Sequence, residues 1–157
     1  MEKKYIHSGQ LIVASNPTVI HTVLGSCVAV CLYDEKIQIS GMNHYLLPLW
    51  NNQGLQSPKY GNIAIIKLIE GMVKEGSQIK NIIAKVFGGA SQWDIGKNGS
   101  NETLMVGKRN IKVAEDILKE YGIRIVANDV GGDRGRKITM DSKSGKIQLK
   151  YTIKSGE

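Results

Sequence analysis

Leu24-Gly25-Ser26-Cys27-Val28-Ala29-Val30-Cys31-Leu32-Tyr33-Asp34 decides how the rest of the chain is read. Gly25-Ser26 marks a turn, and the apolar run from Cys27 to Tyr33 reads as a buried strand. Ile37 to Tyr45 reads as the next strand, joined to the first through Asp34-Glu35-Lys36. A two-residue turn at Glu35-Lys36 would set Asp34 opposite Ile37 and Cys27 opposite His44. Directly opposed residues of an antiparallel pair share a face, with Cβ atoms about 5 Å apart. One face of this hairpin carries Val28, Val30, Leu32, Ile37 and Ile39 and reads as core. The other carries Cys27, Ala29, Cys31, Ser40, Met42 and His44 and suits a cleft.

Outward from the hairpin, Leu11 to Ala14 and Val19 to Leu24 read as short strands around Ser15-Asn16-Pro17. Pro48 to Gly61 is a loop. A helix follows, with Asn62 as its cap, Ile63, Ile66, Ile69, Met72 and Val73 at helical spacing, and Gly76 as its stop. Ile82 to Phe87 is a strand ending in Gly88-Gly89, and 91–102 reads as a polar excursion. A second helix is expected from about Lys108 to Tyr121, with Ile111, Ala114, Ile117, Leu118 and Tyr121 on one face. Ile123 to Val130 is a strand, and Arg136 to Met140 and Lys146 to Ile153 form a terminal hairpin. Strands gather at both ends without a regular βαβ alternation, which predicts an α+β class: mixed sheets with about two main helices outside. The length of 157 residues fits a single domain over 1–157.

Composition bounds the function. Apolar residues are 41% and charged residues 22%, as in ordinary globular proteins. No apolar run reaches membrane-spanning length, and the first dozen residues carry no secretory h-region, so a cytoplasmic location is expected and membrane insertion is not. The net charge of +7 is spread along the chain, and six Tyr, two Trp and one Phe show no aromatic-basic alternation; nucleic acid is not an expected partner. Cys27 and Cys31, four residues apart on one strand, lie about 13 Å from each other, too far to bridge.

Cys27 with His44 has the composition of a nucleophile and its base. An imidazole can take the thiol proton and return it to a leaving amine, and a third group must hold the imidazole in one tautomer. Thr22 and His21, on the preceding strand, are the candidates for that third role. The backbone N–H groups at Ser26-Cys27 can cradle an oxyanion. Acyl transfer from an amide or ester is the chemistry such a set serves. The competing readings are a small buried thiol beside a structural histidine, and a zinc site of Cys27, Cys31 and His44. That zinc site wants a fourth ligand and has poor spacing, so no metal or other cofactor is expected. Gly96-Lys97 lacks the glycine spacing and the following Ser or Thr of a phosphate loop. Arg134 or Arg136 can bind a carboxylate or simply flank a turn, and Arg109-Asn110 is read as structural, at a helix start.

Five blocks carry a resemblance. They are Leu24 to Asp34, Gly41-Met42-Asn43-His44-Tyr45-Leu46-Leu47-Pro48, Lys85-Val86-Phe87-Gly88-Gly89-Ala90, Gly107-Lys108-Arg109-Asn110, and Asp129-Val130-Gly131-Gly132-Asp133-Arg134-Gly135-Arg136-Lys137. In order and over most of the chain, they resemble the CheD family of chemoreceptor glutamine deamidases. The resemblance implies an α+β fold and hydrolysis of chosen receptor glutamines to glutamate with release of ammonia. It also implies a Cys-His-Thr arrangement at Cys27, His44 and either Thr22 or the position of His21. Gly88 and Gly89, with Gly25 and Ser26, then become candidates for the cleft wall or oxyanion cradle. Expected partners are the chemoreceptor cytoplasmic domain and a CheC-type phosphatase. The alternative function is a non-catalytic module that binds the phosphatase or the receptor.

Overall fold

The computed structural model describes residues 1–91 and 101–152, with the side chains of 101–105 left aside. Its elements run β1 (Glu2–Tyr5), β2 (Leu11–Ala14), β3 (Thr18–Leu24), β4 (Val28–Asp34), β5 (Ile39–Asn43), α1 (Gly61–Lys74), β6 (Ile82–Gly88), α2 (Asn101–Glu120), β7 (Arg124–Val130), β8 (Arg136–Asp141) and β9 (Ile147–Tyr151). One sheet has the order β1-β3-β8-β9 and the other β2-β5-β4-β6-β7. Each contains one parallel pair, β1 with β3 and β6 with β7, among antiparallel ones. The class is α+β with mixed sheets and two main helices, as the strand distribution predicts.

β4 is buried along its whole length because both its faces are covered. Val28, Val30 and Leu32 pack with Ala64, Ile65, Leu68 and Met72 of α1 and Ala114 and Leu118 of α2. Ala29, Cys31 and Tyr33 point the other way, onto Ile20 and Leu24 of β3 and Ile138 and Met140 of β8. The molecule therefore stacks helices, sheet and sheet, with a core in each gap. The face expected to line a cleft is mostly this second core. Each fully buried aliphatic side chain contributes about 1.5–3 kcal/mol of transfer free energy.

Several boundaries differ from the sequence reading. Asp34 pairs with Ile39, not Ile37, so Glu35 to Gln38 form the turn and Ile37 is exposed. Gln38 takes φ 53°, a conformation for which Gln gives no signal. The buried stripe of α1 is Ala64, Ile65, Leu68, Ile69 and Met72, while Val73 is exposed; so many apolar residues surround this helix that spacing alone left its orientation ambiguous. Asn62 does not cap it: Tyr60 occupies that position, and Asn62 Oδ1 accepts from Trp50 N at 2.8 Å. α2 begins at Asn101 instead of near Lys108, with Gly107 inside it. Of the expected excursion over 91–102, residues 92–100, including Gly96-Lys97, lie outside the described residues, as does Ile153. β1 has four exposed residues and no apolar pattern, and was not expected as a strand.

Candidate active site

Cys27 ends the Gly25-Ser26 turn immediately before β4, and His44 directly follows β5, the neighbouring strand. Val28 and Tyr45 exchange both backbone hydrogen bonds, at 3.2 and 3.0 Å. Continuing that register sets Cys27 opposite Leu46 and Ala29 opposite His44. The direct Cys27–His44 opposition expected from a two-residue turn is therefore replaced by a diagonal relation. The longer turn moves the register by two residues, an even number, so both side chains keep their common face. Diagonal neighbours stand about 7–8 Å apart, still within reach of a long or aromatic side chain.

Between the ladder's end at Cys31–Met42 and the Val28–Tyr45 pair, the two strands part. Asn43 fills the opening with its side chain, its Oδ1 accepting from Val30 N at 2.8 Å. On its other side the His44 backbone is held by Gly9 N, which donates to His44 O at 2.7 Å, and by Gln10 O, which accepts from His44 N at 3.1 Å. A carboxamide directly before the histidine was the available signal for Asn43.

The third group comes from the other sheet. Thr22 of β3 is fully buried, and its Oγ1 lies 2.7 Å from His44 Nδ1 and 2.8 Å from Ile6 O. A carbonyl only accepts, so the single hydroxyl hydrogen goes to Ile6 O. His44 Nδ1 must then be the donor to Thr22, which leaves Nε2 with its lone pair. His21, one residue earlier, turns to the opposite face of the sheet and sets Nδ1 3.2 Å from Thr139 Oγ1. Of the two candidates for the third position, Thr22 is the one that meets His44.

Burial, with a smaller contribution from nearby His7, lowers the His44 pKa to about 4, so the ring is neutral at pH 7. Burial raises the Cys27 thiol, partly offset by its own backbone N–H. The resting pair is thus a protonated thiol and a neutral imidazole. Cys31 lies deeper, fully enclosed in the core between the sheets, and burial pushes its thiol up to about 12. Both cysteines are free. Among the described residues, no group of three or more His, Cys, Asp or Glu side chains is placed to hold a metal.

The glycines brace the backbone beneath the thiol. Gly89 N donates to Cys27 O at 2.8 Å and Ala90 N to Gly25 O at 3.0 Å. Gly88 has φ +105°, and a Cβ there would collide with Cys27 O. Gly89's amide is thereby committed to holding Cys27. A Cβ on Gly25 would meet no atom of the described residues within 4 Å. Arg136 is an internal tie: its Nε donates to Asp129 Oδ1 at 2.8 Å and its Nη2 to Gly131 O at 2.7 Å. Gly131 N in turn donates to Gly88 O at 2.9 Å. Arg109-Asn110 is not a helix start. Asn110 lies in the middle of α2 and is fully buried.

Fold and site together define an α+β protein in which two stacked sheets bring a thiol, an imidazole and a hydroxyl to one end of their shared core. The family model for CheD, chemotactic sensory transduction, matches residues 46–151, and the chain belongs to the CheD family. A relative from Sulfurimonas denitrificans is 63% identical over 154 residues, spanning 98% of this chain and 97% of its own length. Relatives from Trichlorobacter lovleyi and Methanococcus maripaludis are 43% and 39% identical, spanning 95% and 92% of this chain and 90% and 92% of their own. All three carry the name probable chemoreceptor glutamine deamidase CheD. A solved structure of a hypothetical protein, YfiH of Bacillus licheniformis, is similar at TM-score 0.49 and 14% identity, covering 76% of this chain and 49% of that one.

Proposed function

We propose that this chain is a chemoreceptor glutamine deamidase, one domain over 1–157 acting in the cytoplasm, with Cys27 as nucleophile, His44 as base and Thr22 holding His44. The observation that carries the reading is the Thr22–His44 bond, which leaves Nε2 unprotonated on the strand face that Cys27 shares. Full-length identity to relatives named for this activity supports the substrate. No helix among the described residues is long and apolar enough to cross a membrane.

His44 Nε2 takes the thiol proton as Cys27 Sγ attacks the carboxamide carbon. The C–S bond forms, and the carbonyl π pair moves to oxygen. Collapse of this oxyanion breaks the C–N bond, and His44 returns its proton to nitrogen, releasing ammonia. Water, deprotonated by His44, attacks the thioester, and Cys27 leaves and is reprotonated. The sum is glutamine plus water to glutamate plus ammonia. Because the resting thiol is protonated, transfer to His44 accompanies attack instead of preceding it.

Ammonia release from a receptor cytoplasmic fragment, with mass spectrometry of the glutamine-to-glutamate change, tests the reading. Cys27→Ala abolishes both signals and Cys31→Ala keeps them. Equal activity of wild type and Cys27→Ala would leave the non-catalytic module. A CheC-type phosphatase is the further partner that the family suggests. Co-migration of the purified pair in gel filtration tests it.

A further inference from the structure

The segments that carry Cys27 and His44 are tied together from the helix side of their sheet, by Asn110 of α2. Asn110 Nδ2 donates to Ser26 O at 3.0 Å and to Leu46 O at 2.9 Å. Ser26 directly precedes the thiol. Leu46 lies two residues past the imidazole, opposite Cys27 in the register. The two hydrogens of one planar amide point in fixed directions, so the two carbonyls are held at one separation. Tyr45, between His44 and Leu46, donates its hydroxyl to Asn110 O at 2.5 Å.

The same turn of α2 reaches the third segment of the site. A Cβ on Gly107 would stand 2.6 Å from Gly89 O and 2.8 Å from Ala90 O. Gly89 and Ala90 are the residues whose amides hold Cys27 O and Gly25 O. Gly107 to Asn110 therefore touches the nucleophile turn, the base segment and the glycine wall.

Such a tie has a purpose here. β4 and β5 part at Val30 and Asn43, so beyond that point the Val28–Tyr45 exchange joins the two segments in the ladder. One reciprocal pair is a hinge unless something spans it. The buried amide is also a poor choice for stability alone. Asn110 Oδ1 is buried without a partner among the described residues, and an unsatisfied buried acceptor is destabilising where an aliphatic side chain would not be.

We infer that Asn110 is a positioning residue: its amide fixes the distance between the Cys27 turn and the His44 segment. This rests on the proposed roles of Cys27 and His44. Two readouts on the full chain test it. One is the rate of Cys27 carbamidomethylation by iodoacetamide against pH, followed by mass spectrometry of its peptide. The other is ammonia release from the receptor fragment. Asn110→Ala and Asn110→Ser are compared with Leu118→Ala, a cavity in the same helix away from the site.

Asn110→Ala is expected to lower kcat per folded molecule about 100-fold with KM little changed, since misplacement near 1 Å has that effect. Its alkylation profile should move to that of His44→Ala. Asn110→Ser keeps one donor and should recover part of both. Leu118→Ala should lower the Tm while keeping kcat and the profile. The inference is overturned by a kcat within about twofold of wild type, by a change confined to KM, or by an equal profile shift in Leu118→Ala. Failure of both Asn110 variants to fold also overturns it, making Asn110 a folding residue. If wild type and His44→Ala give one profile, the thiol–imidazole pairing itself fails and this inference with it; failure of the inference alone leaves those two profiles apart.

Discussion

At the scale of single residues, the hydroxyl of Thr22 sets the chemistry of His44, because its one hydrogen is spoken for by Ile6 O. Thr22→Val keeps the shape, but it strands a buried carbonyl and lets the imidazole take the wrong tautomer. We expect kcat to fall on the order of 100-fold and stability to drop by about 1–3 kcal/mol. Thr22→Ser should restore most of both in steady-state and urea-unfolding measurements. The charge state of the pair gives a separate expectation. Burial raises the Cys27 thiol and lowers His44, so a thiolate–imidazolium pair is disfavoured at rest. The rate of Cys27 alkylation should keep climbing with pH beyond the half-titration of a free thiol near ~8.5. A plateau in rate that begins on the acid side would contradict this.

At the scale of elements, the end of β6 is where backbone geometry admits one residue type. Gly88→Ala would place a methyl against Cys27 O at a positive φ, so we expect loss of activity and about 2 kcal/mol or more of stability. Gly25→Ala meets nothing within 4 Å among the described residues and should change stability by less than about 0.5 kcal/mol. Thermal melts and deamidation rates of the two variants check the contrast; equal effects would contradict it. The elements also show what was legible beforehand. The common face of Cys27 and His44 was readable because strand parity survives an even change of register. The register itself was not, since it turns on a positive φ at Gln38, a residue type that does not announce one. The second helix was expected only from about Lys108, whereas Gly107 lies inside it and its lack of a side chain serves contact with Gly89 and Ala90. β1 was invisible because four exposed residues leave no pattern, only backbone pairing with β3. Asn110 could not be assigned for a related reason. Its carbonyl partners lie 84 and 64 residues away in sequence.

At the scale of the whole molecule, His44 sits where the two sheets meet, so its titration is coupled to the stacking of the layers. Thr22 belongs to the β1-β3-β8-β9 sheet and His44 adjoins the other, and their bond crosses the gap. Protonating Nε2 leaves the Nδ1 bond in place but sets a charge in the buried interface. The folded pKa is about 4 against an ordinary imidazole value of 6.5. Between those values the unfolded chain binds more protons than the folded one, so stability falls as pH drops through this window. The full difference is worth about 3 kcal/mol. It is present above the unfolded pKa and fully lost below the folded one. Electrostatic repulsion from nearby His7 adds a smaller contribution in the same direction. His44→Gln removes the titrating group while keeping a polar side chain beside Thr22. Urea unfolding at pH 7 and at pH 4.5 should therefore show wild type losing about 2–3 kcal/mol more than His44→Gln over that interval. Parallel losses in the two proteins would mean that His44 is charged without cost in the folded state, and that the sheets open around it as the pH falls.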